Sequence, residues 1–259
     1  MAGALKSTSE GRTLILTLSN PDFKNALGPE IYAAGIEALN AAENNPDIRS
    51  VVLTGEGNMF CAGGNLQRLQ GNRRELPEVQ AQSIDGLHNW IDSIRTYPKP
   101  VIAAVEAAAA GAGFSLALAC DFCVAADNAV FVMSYSTVAL SPDGGASWSL
   151  ARALPRALVS ELLMCGERIS AQRLHDFGLV NRVCSAGGAL TEALKLAERL
   201  NARAPNVLAS IKELINDAAS NTLSQQLASE RDQFVRNLHH SNGGEGIDAF
   251  LQKRTPLYR

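Results

Sequence analysis

Between Thr13 and Asn20 branched apolar residues alternate with polar ones, and Pro21 follows. A period of two closed by Asn-Pro reads as a strand. From Pro29 to Asn45 the apolar residues Ile31, Ala34, Ile36 and Leu39 fall at helical spacing. "SVVLTG", residues 50–55, is a short buried strand running into the glycine-rich loop "GEGNMFCAGGN". Residues Val79 to Thr96 return to the helical period, with Ile84, Leu87, Ile91 and Ile94 in one stripe. His88 stands four residues after Ile84 and three before Ile91, which turns it inward in this pattern.

The pattern then recurs. "VIAAV" is a strand, "EAAAAGAG" a small-residue loop and "FSLALAC" a helix. "DFCVAAD" and "AVFVM" are short strands, Ser134 to Trp148 a loop, and "SWSLARAL" a helix. A short strand, a glycine-rich turn and a helix, repeated, predict a βα-type architecture. From Ala189 onward no strand pattern is left, and four helices follow in succession. The expected organisation is an α/β core over residues 1–190 and a helical region over 191–259.

Composition narrows the function classes. Apolar residues make up 46% of the 259 and charged residues 19%, an ordinary globular balance. A formal net charge of −3 gives no reason to expect nucleic acid or an anionic membrane as partner. The apolar run Val101 to Cys120 is interrupted by Glu106 and dominated by Ala and Gly, so a buried strand, loop and helix explain it better than a membrane span. The five cysteines, with no secretory h-region before them, read as reduced thiols of a cytoplasmic protein. Cys120 and Cys123 form a C-x-x-C without a second pair, which reads as core filling, not as a metal or redox site.

Two glycine-rich turns carry candidate chemistry. Ala110 to Gly113 opens a helix after a strand, but G-x-G-x-x-G fails at Leu116 and no P-loop lysine follows. What remains is a set of free backbone N–H groups at a helix N-terminus, with "CAGGN" (Cys61 to Asn65) a second such turn. Donors from both, aimed at one point, would make an oxyanion hole, and losing one such donor costs about 10²–10³ in rate. From pattern alone, the preferred reading is that these small residues permit close packing.

"MFCAGGNL", "AAAAGAGFSLALACD", "SPDGG", "GERISAQRLHDFGLVNRV" and "EGIDAFLQKR", in this order, resemble the crotonase (enoyl-CoA hydratase/isomerase) family over essentially the whole chain. The resemblance implies an α/β fold built as a spiral of ββα turns. It also implies a helical C-terminal region that assembles homotrimers or dimers of trimers. It makes the substrate an acyl-CoA thioester, with coenzyme A arriving as part of the substrate and no further cofactor or metal. It puts the oxyanion donors at the N–H groups of Gly64 and Ala112. Contacts to coenzyme A would come from Lys24, Ala26, Ala62, Asn65 and Leu66, and from Phe250 and Lys253 on the last helix.

Hydratases of this family use two glutamates, and the corresponding positions here are Ser115 and Tyr135. Without either acid, efficient hydration is not expected, since each acid–base group is worth about 10²–10⁴. Moving a double bond needs one base, and Asp143 in "SPDGG" stands where single-acid isomerases of the family carry theirs. That segment and the C-terminal motifs are similar to the ring-epoxide isomerases of phenylacetate degradation. On its own, Pro-Asp-Gly is also a good turn signal. The expected activity is therefore isomerisation of an unsaturated acyl-CoA by Asp143, with Tyr135 and His88 as substrate-orienting groups. Three alternatives stay open: a dehalogenase or hydrolase using Asp143 and His88, a hydratase, and a non-catalytic acyl-CoA binder.

Overall fold

The computed structural model describes residues 3–259. The chain begins with β1 (Ala4–Glu10), β2 (Thr13–Ser19), α1 (Pro29–Glu43), β3 (Ser50–Gly55), α2 (Leu66–Asn72) and α3 (Pro77–Thr96). It continues through β4 (Val101–Val105), β5 (Ala108–Ala110), α4 (Ala112–Ala119), β6 (Phe122–Ala126), β7 (Val130–Val132), α5 (Ala146–Ala153) and α6 (Arg156–Ser160). Then come β8 (Arg168–Ser170), α7 (Ala171–Asp176) and β9 (Arg182–Cys184). The last four elements are α8 (Ala189–Asn201), α9 (Pro205–Asp217), α10 (Leu223–His239) and α11 (Ser241–Leu251).

Six strands form one sheet in the order β1-β2-β3-β4-β6-β9, parallel except for the β1–β2 hairpin. β3 and β4 are buried on both faces, as strands inside a covered parallel sheet are. α8 lies on one face, its Ala189, Ala193 and Ala197 packed with Val52, Ile102, Ala104 and Val124. The other face carries the main core, with Leu53, Ala103 and Val105 meeting Leu87, Trp90 and Ile91 of α3 and Ile31 and Leu39 of α1. At Gly35 a Cβ would come within 2.2 Å of the Trp90 indole, so this glycine lets α1 and α3 pack closely.

β5, β7 and β8 form a second, smaller sheet. The chain thus steps from a strand of the large sheet to one of the small sheet and then to a helix: β4, β5, α4, then β6, β7, α5. In the preceding turn the small-sheet strand shrinks to a single bridge, Cys61 to Ala109. This repeat is the expected spiral of ββα turns.

Three elements differ from the hydropathy pattern. β1 is nearly all exposed, so its sequence "ALKSTSE" carries no alternation to read. β5 is three alanines inside the stretch expected to be loop. α2 falls in a segment without an apolar stripe; the Asn65 side chain makes it by accepting from the N–H groups of Gln67 and Arg68.

α9 is tied to the spiral by Lys212. Its Nζ donates to Asp121 Oδ2 at 2.8 Å and to the Ile94 carbonyl at 2.8 Å, while the Val101 N–H donates to the same carboxylate oxygen at 2.8 Å. Burial raises the Asp121 pKa and lowers that of Lys212, each charge being partly offset by the other. The chain end is buckled back: Arg254 donates to both Glu245 oxygens at 2.6 and 2.8 Å, and Arg49 Nη2 donates to the Tyr258 carbonyl at 2.6 Å. Among the described residues no helix is long and apolar enough to cross a membrane.

Candidate active site

The site gathers at the C-terminal ends of β3 and β4, where the following loops are held by side chains and by each other. Asn25 Nδ2 donates to the carbonyls of Glu56 and Met59 at 3.0 and 2.7 Å and so fixes the loop after β3. Sequence reasoning missed this clamp, whose only signal was an asparagine beside the expected ligand residues. Further on, the Cys61 N–H donates to the Ala108 carbonyl at 3.1 Å, and the Ala110 N–H returns to the Cys61 carbonyl at 2.9 Å. Burial pushes the Cys61 thiol up to about 12, leaving it a neutral filler.

Glycines set how closely the two loops meet. At Gly63, with φ +90°, a Cβ would stand 2.6 Å from the Ala110 carbonyl oxygen and 3.3 Å from the Ala112 nitrogen. At Gly113 it would collide with Cys61 at 2.7 Å. Backbone therefore approaches backbone where only glycine fits. Gly64 and Ala112 follow directly on this contact, and neither N–H has an acceptor among the described residues. Ala112 is buried at the start of α4.

The strip expected to meet coenzyme A is contiguous. The Ala62 N–H donates to the Lys24 carbonyl at 3.0 Å and the Leu27 N–H to the Gly63 carbonyl at 2.8 Å, so Lys24, Ala26 and Ala62 lie side by side. Lys24, Ala62 and Leu66 are exposed and Ala26 is buried; the Asn65 side chain is engaged as the α2 cap. Phe250, at 82% exposure, and Lys253 lie on and just after α11 and make no side-chain hydrogen bond to these loops.

Asp143 stands on the loop before α5, half-buried. Gly144 and Gly145, at φ +60° and +76°, form the turn that ends in the α5 N-terminus. A Cβ on Gly144 would meet Ser115 and Ile91 at 2.8 and 2.9 Å, so α4 and α3 press directly on this turn. Tyr135 Oη donates to Asp143 Oδ1 at 2.6 Å, and Ser115 Oγ donates to the Asp143 carbonyl at 2.9 Å. The same phenol lies 3.4 Å from where a Cβ on Gly111 would be, next to Ala112. It therefore spans from the α4 N-terminus to the carboxylate. Burial first, then the Asp143 carboxylate, holds the Tyr135 pKa well above its ordinary range, so the phenol remains a donor.

His88 corrects the inward expectation. It is exposed, while Leu87, Trp90, Ile91 and Ile94 form the buried stripe. Leu87, Ile91 and Ile94 of the expected stripe are buried and Ile84 is half-buried; Trp90 widens the stripe on the side away from His88, which is left at the rim. From there its Nε2 accepts from the Gly144 N–H at 3.3 Å, so it still reaches the Asp143 turn. An open groove of about 1190 Å³, lined among others by Arg12, Arg49 and Arg199, lies away from these loops, by the N-terminal ends of β2 and β3. Among the described residues no three His, Cys, Asp or Glu side chains converge as a metal site would require.

Two donor-bearing loops meeting beside one carboxylate at the open end of a ββα spiral define a class. Residues 9–259 match the family model described as enoyl-CoA hydratase/isomerase, and the chain belongs to that family, with its crotonase fold. It is 36% identical to the 1,2-epoxyphenylacetyl-CoA isomerase of Escherichia coli (strain K12) over 96% of this chain and 95% of that one. It is 34% identical to the 2,3-dehydroadipyl-CoA hydratase of the same strain, with 96% and 95% covered. Among solved structures, an enoyl-CoA hydratase from Polaromonas sp. JS666 is 86% identical, with a TM-score of 0.99 over 99% of this chain and 100% of that one.

Proposed function

We propose that this protein is an enoyl-CoA isomerase that shifts a double bond along the acyl chain with Asp143 as its one acid–base group. The observation that carries the reading is the make-up of the Asp143 cluster. Its hydrogen-bonding partners are the hydroxyls of Tyr135 and Ser115, and no second carboxylate is hydrogen-bonded into it among the described residues. The similarity to a relative named as an isomerase supports it; relatives named as hydratases and dehydratases keep the alternatives in view.

In this mechanism the thioester oxygen accepts from the Gly64 and Ala112 N–H groups. Asp143 removes a proton from the α carbon of a 3-enoyl group, and the charge moves onto that oxygen as a dienolate forms. The protonated carboxyl then returns the proton at the γ carbon, leaving the 2-enoyl product. Oδ2 is the working oxygen, since Oδ1 is taken by Tyr135. The hole is pre-formed backbone, so no reorganisation accompanies the charge.

Lys24, Ala26, Ala62, Asn65 and Leu66 would line the coenzyme A path, with Phe250 and Lys253 reaching it from a neighbouring subunit. The exposed apolar residues Ile211 and Ile215 of α9 and Leu227 and Phe234 of α10 support a homotrimer or dimer of trimers. No cofactor beyond substrate coenzyme A and a cytoplasmic setting complete the reading. The second reading, a dehalogenase or hydrolase, needs His88 as base. Its Nε2, the nitrogen that faces the Asp143 turn, is engaged with the Gly144 N–H, which counts against it.

The test is turnover by wild type and Asp143→Asn on 3-enoyl-CoA, on 2-enoyl-CoA with water, and on 4-chlorobenzoyl-CoA. Isomerisation that drops about 10²–10⁴-fold in the variant supports the proposal. Hydration that survives the substitution sinks it. Chloride release dependent on both Asp143 and His88 hands the site to the second reading.

A further inference from the structure

Lys24 and Asn25 are consecutive left-handed residues, at φ +52° and +57°, and neither is glycine. Such conformations are strained and persist where the surroundings over-determine them, often at functional sites. Here the Asn25 side chain, 1% exposed, supplies the constraint. Its Oδ1 accepts from the Asn20 N–H at 3.1 Å. Its Nδ2 donates both hydrogens, to the Glu56 carbonyl at 3.0 Å and the Met59 carbonyl at 2.7 Å.

The main chain of the same turn grips the next loop. The Asn25 carbonyl accepts from Cys61 Sγ at 3.2 Å, and that sulfur accepts from the Gly63 N–H at 3.4 Å. On either side, the Ala62 N–H donates to the Lys24 carbonyl at 3.0 Å and the Leu27 N–H to the Gly63 carbonyl at 2.8 Å. Leu27 then forms a parallel bridge with Gly64 itself. The direction of the Gly64 N–H is thereby set from residues 24–27, which the Asn25 amide locks to the loop after β3.

We propose that Asn25 is a positioning residue of the reaction, whose buried amide aims the Gly64 N–H at the thioester oxygen. This inference rests on the oxyanion-hole reading of the site given above. Asn25 acts through Gly64 and touches no substrate. The place requires an amide: asparagine tolerates the left-handed region better than most side chains, and one planar group offers two donors and an acceptor. Aspartate keeps the shape but sets acceptors against the Glu56 and Met59 carbonyls. Glycine keeps the backbone conformation and leaves both carbonyls without their donor. A catalytic group displaced by about 1 Å can cost about 10²-fold in rate.

The experiment is infrared difference spectroscopy of hexanoyl-CoA, isotopically labelled at its thioester carbonyl, bound to wild type, Asn25→Gly and Asn25→Asp. Turnover of 3-enoyl-CoA and a thermal melt accompany it. Hydrogen bonding lowers a carbonyl stretching frequency, so the band reads the hole without any reaction. Wild type is expected to shift the band to lower frequency on binding. Both variants are expected to lose a clear part of that shift. Their kcat is expected to fall about 10²–10³-fold, the effect of losing one donor, with KM changed far less. A merely structural role would lower the melting temperature and leave the band in place. A wild-type shift in either folded variant therefore overturns the inference. If Asn25→Gly does not fold, Asn25→Asp decides alone; if neither folds, Asn25 is a folding residue and the inference falls. A band that Asn25 controls, without any isomerisation, would sink the isomerase reading and leave this inference standing. An unshifted band in wild type, beside isomerisation that depends on Asp143, would remove the hole and this inference and leave the base in place.

Discussion

The Tyr135 hydroxyl donates to Asp143 Oδ1 at 2.6 Å, and these are the residues that the family resemblance puts at one of the two hydratase acid positions and at the single isomerase acid position. The tyrosine thus orients the carboxylate instead of competing with it as a second acid. Tyr135→Phe removes a hydrogen bond to a charged group, worth about 1.5–3 kcal/mol. Single-turnover isomerisation is expected to slow by about ten- to a hundredfold while coenzyme A binding holds. An unchanged rate would mean that Oδ1 needs no donor.

Gly63 sets the approach of the two donor loops. Gly63→Ala would force a Cβ to 2.6 Å from the Ala110 carbonyl oxygen at a φ of +90°, and the loops must part. If Gly64 and Ala112 form the oxyanion hole, isomerisation is expected to fall by about 10²–10³, the effect of losing one donor. A thermal melt accompanies the rate measurement, because a folded variant with full activity would remove the hole from this place.

Lys212 and Asp121 form a pair with side chains 11% and 22% exposed. Lys212→Met leaves the Asp121 carboxylate with the Val101 N–H as its remaining hydrogen-bond donor; the pair is only partly buried, so the loss is expected to fall below the about 3–5 kcal/mol of a fully buried pair broken from one side. Asp121→Asn added to it is expected to recover much of that loss, since the amide oxygen can still accept from Val101. Urea denaturation of the single and double variants measures the difference. Simple additivity would argue that the pair is not coupled.

Glu245 gives a pH dependence with a definite sign. The Arg254 guanidinium first, and the Leu257 N–H second, lower its pKa from 4.5 to about 2. A carboxylate depressed in the folded state stabilises above its unfolded pKa and loses that contribution as pH falls through the folded one. The stability difference between wild type and Glu245→Gln is therefore expected to be full at neutral pH. It should shrink between about 4.5 and 2. Denaturation series at several pH values read this directly, and a difference that does not shrink would uncouple Glu245 from the chain-end buckle.

Much of the architecture was legible because its signals are periodic. The continuous apolar runs of β3 and β4 and the stripe of α3 follow from burial on two faces and on one, respectively. What escaped lacks a periodic signal. β1 is held by its hydrogen-bonded partner β2 while its side chains face solvent, so nothing in its hydropathy marks it. The orientation of His88 failed because it stands at the edge of a stripe that is otherwise as expected, and the buried Trp90, packed against Tyr32, widens that stripe on the side away from it. Asn25 escaped for a different reason: its partners are carbonyls brought in by tertiary structure, 31 and 34 residues away.

The loops that meet at Gly63 do so through main chain alone, and the donors beside them belong to no side chain. In the proposed site, the part that activates the thioester and the part that decides where protons go are therefore encoded separately. A chain of this kind can exchange Ser115, Tyr135 or Asp143 for other groups and inherit a polarised carbonyl each time. Relatives that share one backbone and carry the names of isomerase, hydratase and dehydratase are what such a separation would produce over evolutionary time.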